Sequence, residues 1–371
     1  EGRTREEHAL AILRCIVEGD TAVPVSAEYG VRNCEYVKAA AAKSRDNADS
    51  LAFVLFTSGT AGAPKGVMLT DENICENLKL ISSYFRLEEC ERICIARPLA
   101  HAAVITGELL YGLCCGLTVS FYEEAFMPRR LALRLREERA DVFCATPTLY
   151  SALAKESKTQ NIPLKVGAVS GEPLAQKSAL LMLEAFPETA FYNAYGLTEH
   201  SPRVSALEPS KFGILHGSVG KPIGGVQTKI QNGELLIKSP CVMKGYLGDD
   251  AGTKKKMTGG WLFTGDAAHF DSEGYLYIDG RKDDMMIRAG LNVYPQEIEN
   301  AALCCIGVQE CAAYCEQSER GTVLCLKYTG TAEPKAVRRE LCAVLNPNIV
   351  PNKIERVAEL VVGAGGKKLR K

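Results

Sequence analysis

The sequence predicts an α/β fold: a large N-terminal domain on a mostly parallel sheet, a small β unit, and a small α+β lid domain at the C-terminal end. Three observations predict it. Between residue 51 and about residue 207, short apolar runs with strand character alternate with stretches of helical apolar spacing, as expected of a parallel sheet with crossover helices. From Ser218 the texture changes to short alternating segments around Asn232-Gly233, which implies antiparallel hairpins. Beyond Asp283-Asp284 the order is helix, two strands, helix. A chain of 371 residues also exceeds the usual size of one hydrophobic core. The boundaries read as an N-terminal domain over 1–282, a junction at 283–284 and a small C-terminal unit over 285–371.

The elements follow in order. Leu10, Ile12, Leu13 and Ile16 have helical spacing over residues 7–19, with Gly19 as the stop. Residues 51–56 are continuously apolar and predict a fully buried strand, and a glycine-rich turn follows at once. Asp71 reads as the N-cap of a helix to about Ile81. Strands are expected over 92–96, 117–121, 141–145, 164–169 and 190–193, with helices between them. Residues 227–238 and 274–278 supply the small β unit. In the lid, a helix starts at Pro295, strands lie near 309–314 and 323–328, and a second helix spans 334–345.

Composition narrows the function classes. Lys plus Arg total 44 against 45 for Asp plus Glu, so no global field attracts nucleic acid or anionic lipid. No apolar run approaches the roughly 20 residues needed to span a bilayer, and the polar start lacks a signal-peptide core, so the expected location is cytoplasmic. The fifteen cysteines lie in apolar stretches such as Gly112-Leu-Cys-Cys-Gly116 and Ala302-Leu-Cys-Cys-Ile306, which reads as buried reduced thiols. With no Cys-x-x-Cys pair and no histidine cluster, a zinc or iron–sulfur site is not expected.

The most informative segment is Thr57-Ser-Gly-Thr-Ala-Gly-Ala-Pro-Lys-Gly66. After a buried strand, the backbone amides of Gly59 and Gly62 and the hydroxyls of Thr57, Ser58 and Thr60 can converge on phosphate oxygens, with Lys65 as a cation. A Walker A loop needs Gly before the lysine and Ser or Thr after it, whereas Pro64 and Gly66 stand there. The segment is therefore either a different phosphate cradle or a plain glycine-rich turn.

Taken together with Pro98-Leu-Ala-His101, Ser170-Gly-Glu-Pro173, Asn193-Ala-Tyr-Gly-Leu-Thr-Glu199, Gly260-Trp-Leu-Phe-Thr-Gly-Asp266, Asp279-Gly-Arg281, Asn292-Val-Tyr-Pro-Gln-Glu-Ile-Glu299 and Gly366-Lys367, this loop resembles the signature set of the adenylate-forming superfamily. That superfamily comprises acyl-CoA synthetases, peptide-synthetase adenylation domains and luciferases. The resemblance implies that ATP and a carboxylic acid give an acyl-adenylate, which passes to the thiol of CoA or of a carrier-protein pantetheine arm. It assigns Gly171, Glu172 and Pro173 to the adenine pocket, Asn193, Ala194 and Gly196 to nucleotide binding, and Tyr195 to packing against the nucleotide. It gives Thr198 to phosphate, Glu199 to Mg²⁺, Asp266 to the ribose, and Arg281 to the same sugar or the phosphate. A carboxylate oxygen suits that hard ion.

By the same resemblance His101 lines the acyl-pocket entrance, a reading preferred over that of a structural histidine. Gly290 and Asn292 belong to the thiol channel, and Asp284 matches the hinge. Lys367 becomes the lid cation that stabilises charge developing at the α-phosphate, where sequence alone reads a solvated basic tail.

The pattern departs from the family at Ala61, Asp71 and Asp283, and the aspartate that holds an amino acid's ammonium group near 98–101 is missing, which favours an acyl or aryl acid. Only about fifty residues precede the loop where relatives carry a further subdomain. That reading expects a shortened member whose sheet a homo-oligomer could support. The alternative is a catalytically silent nucleotide-binding protein.

Overall fold

The computed structural model describes residues 4–25, 51–57, 64–124, 126–215, 217–288, 291–318 and 321–360. The first helix, α1 (Arg5–Glu18), starts where Thr4 Oγ1 accepts from the Glu7 amide at 3.1 Å and the Glu7 carboxylate accepts from the Thr4 amide at 3.0 Å. This reciprocal pair satisfies amides that have no partner inside the helix. Gly19 closes it at φ +74°, a conformation costly for other residues.

Strand β1 (Leu51–Thr57) is buried along nearly its whole length, yet it does not join the parallel sheet. It pairs antiparallel with β2 (Lys65–Thr70), from Leu51 opposite Thr70 to Thr57 opposite Lys65. The glycine-rich segment therefore connects a hairpin rather than opening a helix, which agrees with the failed Walker pattern. Helix α2 (Asp71–Tyr84) follows β2 directly. Its N-cap is Thr70, not the expected Asp71: Thr70 Oγ1 accepts from the Asn73 amide at 3.2 Å, and Asn73 Oδ1 accepts from the Thr70 amide at 3.0 Å.

The main sheet has seven strands. In chain order these are β3 (Arg92–Ile95), β4 (Thr118–Phe121), β5 (Val142–Ala145), β6 (Val166–Val169), β7 (Ala190–Gly196), β8 (Arg203–Leu207) and β9 (Lys221–Pro222), and in space β4-β3-β5-β6-β7-β8-β9. The first five in space are parallel, β8 runs against them, and β9 pairs antiparallel with β8. Alternation along the strands shows that both faces are covered. Ile93, Ile95, Val142, Cys144, Val166 and Ala168 join Phe53, Leu69 and Ile81 in one core, whereas Cys94, Phe143, Ala145, Val169 and Phe191 join Leu131, Tyr150, Met182 and Phe212 in another.

Between β3 and β4, helix α3 runs through Ala102–Val104, widens into a π-helical turn at Ile105–Leu110 and resumes at Tyr111–Cys114. Helices α4 (Pro128–Glu137), α5 (Pro147–Gln160) and α6 (Gln176–Ala185) fill the remaining crossovers.

The second sheet contains β10 (Gln227–Gln231) and β11 (Glu234–Lys238), turned at Asn232 (φ +51°) and Gly233 (φ +73°) as the Asn-Gly pair predicts. Next comes β12 (Gly245–Tyr246), which instead completes the β1–β2 hairpin by pairing with Met68 and Val67. After α7 (Asp250–Lys256) and β13 (Met257–Thr258), β14 (Trp261–Phe270) and β15 (Leu276–Arg281) close the second sheet. Trp261 is half-buried, with Lys229 Nζ 4.3 Å from its ring centroid.

Past a 3₁₀ turn at Lys282–Asp284, the chain builds a separate core. Its elements are the hairpin β16 (Met286–Arg288) and β17 (Leu291–Val293), α8 (Pro295–Cys304), β18 (Val308–Ser318), β19 (Gly321–Gly330), α9 (Pro334–Val344) and β20 (Lys353–Arg356). Val293, Ile298, Leu324, Leu326, Tyr328, Val337 and Leu341 fill it. The cysteines are not uniformly buried: Cys75, Cys114, Cys115, Cys304 and Cys342 are exposed. Among the described residues no helix is long and apolar enough to cross a membrane.

Candidate active site

Strands β14 and β15 set Asp266 directly opposite Arg281. Arg281 Nη1 donates to Asp266 Oδ1 at 2.9 Å and to the Thr264 carbonyl at 3.2 Å. From the end of β7, the Tyr195 hydroxyl donates to Asp266 Oδ2. Thr264 Oγ1 accepts from the Asp266 amide at 3.0 Å and donates to the Leu235 carbonyl at 2.7 Å, which fixes the stretch of β14 that presents the aspartate. Burial raises the Asp266 pKa from the usual carboxylate value, against the opposing pull of Arg281 and Tyr195.

A lysine that sequence reasoning passed over completes this corner. Lys256 Nζ, at the end of α7, donates to the same Thr264 carbonyl at 2.9 Å. Burial lowers its pKa, while the Glu199 and Asp266 charges pull the other way. In sequence Lys256 ends the run Lys254-Lys255-Lys256, which reads as a solvated helix end.

Glu199 lies in the 3₁₀ turn Thr198–His200 between β7 and β8. Its Oε1 accepts from the Tyr246 hydroxyl at 2.7 Å. The Tyr246 ring lies beneath Lys65, whose Nζ is 4.8 Å from the centroid and 3.9 Å from Asp249 Oδ2. Both partners of that ion pair are more than two-fifths exposed, so it adds little stability and leaves the ammonium accessible. Thr57, across from Lys65, is half-buried. Neither Tyr246 nor Asp249 carries a sequence signal, because both act through contacts distant in the chain. Among the described residues no three His, Cys, Asp or Glu side chains converge as a metal cage. Glu199 alone fits an ion held mainly by phosphate oxygens and water, as Mg²⁺ commonly is.

Beyond β6, Ser170 is buried, Gly171 adopts φ +88°, and Gly171, Glu172 and Pro173 are exposed. Glu172 Oε2 accepts from the Thr148 amide at 3.2 Å. Asn193 is buried, its Nδ2 donating to the Ser218 carbonyl at 2.8 Å, and Ala194 beside it is buried too. At Gly196 a Cβ would lie 2.2 Å from the Pro202 carbonyl oxygen, so only glycine lets β8 leave this close to β7.

His101 precedes α3 with no capping bond, and desolvation by the surrounding protein, then the nearby Arg97 charge, lowers its pKa. Ser58, Gly59, Thr60, Gly62, Gly290 and Lys367 lie outside the described residues. Asn292 is on β17, opposite Ile287.

Residues 4–247 match the AMP-binding enzyme family. The chain is 32% identical over 278 residues to a feruloyl-CoA synthase of Amycolatopsis sp., covering 71% of this chain and 56% of that protein. It is 30% identical over 346 residues to a long-chain-fatty-acid–CoA ligase of Bacillus subtilis (strain 168), covering 88% of this chain and 62% of that protein. The chain thus spans little more than half the length of the curated relatives it matches. Its fold is similar to that of o-succinylbenzoate CoA synthetase from Bacillus subtilis in complex with its acyl-adenylate intermediate, with a TM-score of 0.87 at 22% identity over 98% of this chain and 85% of that one.

Proposed function

Because the chain belongs to the AMP-binding enzyme family, we propose that it activates a carboxylic acid with ATP and passes the acyl group to the thiol of CoA. In the first step a carboxylate oxygen bonds to the α-phosphorus, the α–β phosphoanhydride bond breaks, and pyrophosphate leaves with the electron pair. In the second, the thiol sulfur bonds to the acyl carbon, its proton goes to solvent and AMP departs.

The observation that carries this reading is the convergence of Tyr195, Asp266 and Arg281 beside Glu199, Tyr246 and Lys65. It offers a buried carboxylate that can accept from ribose hydroxyls next to cations that can meet phosphate. Asp266 would take the ribose, with Arg281 holding it in place. Lys65 and the Thr57–Gly66 segment would hold the β and γ phosphates, and Thr198 would donate to phosphate. Glu199, steadied by Tyr246, would hold Mg²⁺, which when bound neutralises phosphate charge. Gly171, Glu172 and Pro173 would frame the adenine, and Asn193, Ala194 and Gly196 would line the nucleotide site.

The acid would enter past His101. The substrate is already ionised, so adenylation needs no general base. The unit after Asp284 would act as the lid, bringing Lys367 to the α-phosphate for adenylation, then turning Gly290 and Asn292 toward the thiol.

The test is isotope exchange between pyrophosphate and ATP with a panel of aliphatic and aryl acids, followed by thioester formation with CoA or a pantetheinylated carrier protein. Acid-dependent exchange supports adenylation, and its absence with every acid sinks the reading. Transfer to the carrier but not to CoA would reassign the acceptor.

A further inference from the structure

Behind His101 lies a charged cluster that none of the roles above uses. Arg97 follows β3, Glu108 sits in the π-helical turn of α3, and Arg203 opens β8; they are 9%, 0% and 3% exposed. Arg97 Nε and Nη2 both donate to Glu108 Oε1, at 3.1 and 2.6 Å, and Arg97 Nη1 donates to Ser170 Oγ at 3.3 Å. The Arg203 guanidinium packs where Gly107 has no side chain, with Nη2 2.8 Å from where a Cβ would stand.

Stability does not explain such a cluster, since a buried ion pair is often replaceable by apolar residues without loss. Two features point to an occupant instead. Two guanidinium groups face one carboxylate. Moreover, Glu108 Oε2 and Arg203 Nε are buried with no hydrogen-bond partner, an arrangement natural proteins rarely leave unsatisfied.

The location fits a substrate. Ligands of open α/β sheets bind at the carboxyl ends of the parallel strands, and the cluster is bounded by three of them. Arg97 follows β3 and lies four residues before His101; Ser170 follows β6 and precedes Gly171; Arg203 is the register partner of Gly196 at the end of β7. Burial pushes the Glu108 carboxyl up while the Arg97 and Arg203 charges oppose it. A hydroxyl both donates and accepts, so it can bond to Glu108 whether or not that carboxyl is protonated.

We propose that Glu108 and Arg203 are specificity-determining residues that read a hydroxyl group on the far part of the substrate acid, so that the enzyme's substrates are hydroxylated acids rather than plain hydrocarbon acids. This rests on the adenylation reading above. A substrate without the hydroxyl leaves two buried polar atoms open, and sites built in this way discriminate strongly.

The experiment measures kcat/KM for pyrophosphate exchange with acids matched in length, with and without a distal hydroxyl, plus a dicarboxylic acid of the same length. Wild-type protein should favour the hydroxylated member by on the order of 10²-fold. That ratio should collapse toward unity in Arg203→Met and fall about tenfold in Glu108→Gln, with AMP binding measured by calorimetry in each. Glu108→Gln keeps the side-chain shape and decides the matter if Arg203→Met fails to bind AMP.

Equal use of plain and hydroxylated acids overturns the proposal. So does a ratio that survives both variants, or a dicarboxylic acid that ranks first. Absence of exchange with every acid overturns the adenylation reading, and this proposal with it.

Discussion

Gly196→Ala tests the geometry of the site without removing any polar group from it. An added Cβ would lie 2.2 Å from the Pro202 carbonyl oxygen and 2.8 Å from the Pro202 carbonyl carbon, where contacts below 3.0 Å are essentially never found. The obstruction is backbone, so no rotamer can relieve it, and β7 and β8 must part by about 1 Å at Gly196 and Arg203. Overpacking of this kind costs about 1–3 kcal/mol. The residue before Gly196 is Tyr195, whose hydroxyl meets Asp266, so the displacement reaches the nucleotide corner. A misplacement of about 1 Å can cost on the order of 10²-fold in rate. Pyrophosphate exchange in Gly196→Ala should therefore fall by on the order of 10²-fold, with a lowered melting temperature. Gly116→Ala is the control: φ is +76° with nothing within 4 Å of the added Cβ, so it should lose stability through backbone strain and keep its exchange rate. Near-wild-type exchange by Gly196→Ala would refute the claim that this close approach positions Tyr195.

Tyr246→Phe removes the hydroxyl that holds Glu199, and the Mg²⁺ concentration for half-maximal exchange should rise about 10- to 100-fold, as measured by metal titration. Lys367→Ala should cut the adenylation rate by about 10²- to 10³-fold while AMP affinity, read by calorimetry, stays the same; a near-normal rate would remove that residue from the chemistry. Burial holds the His200 pKa down at about 4, below the ordinary 6.5, so the native state keeps the ring neutral while the unfolded chain binds a proton more readily. Stability should therefore fall as pH drops from 6.5 toward 4, by up to about 3 kcal/mol from this group. Urea unfolding of wild type and His200→Gln across that window checks this, and identical slopes would refute it.

The parallel sheet was readable because burial on both faces turns each strand into an uninterrupted apolar run, as at residues 142–145 and 166–169. The turn at Asn232-Gly233 was readable because those residues tolerate the φ values it requires. Residues 51–57 misled as to partner, since a buried strand has the same composition in either kind of sheet, and pairing with β2 and β12 is long-range information. Thr70 and Asp71 are both good caps, and the choice between them was made by Asn73. In the site, Asp266 and Arg281 stood out singly, but their bond depends on the β14–β15 register. Arg97, Glu108 and Arg203 gave no signal, because charge spread over three distant segments looks like ordinary surface until folding buries it.

The short strand β12 makes a mechanical link out of what looks like a loop. Lys244 donates to the Met68 carbonyl at 2.9 Å and Leu247 to the Gly66 carbonyl at 2.7 Å, so Tyr246 is clamped between two bonds to the strand that begins at Lys65. Lys65 and, through Tyr246, Glu199 are thus indexed to one ruler. Adding a single residue between Pro240 and Gly245 would step that ruler by one notch and turn Tyr246 to the opposite face. Variation in this stretch would then pass for a defect in nucleotide handling, although none of its residues need touch the nucleotide.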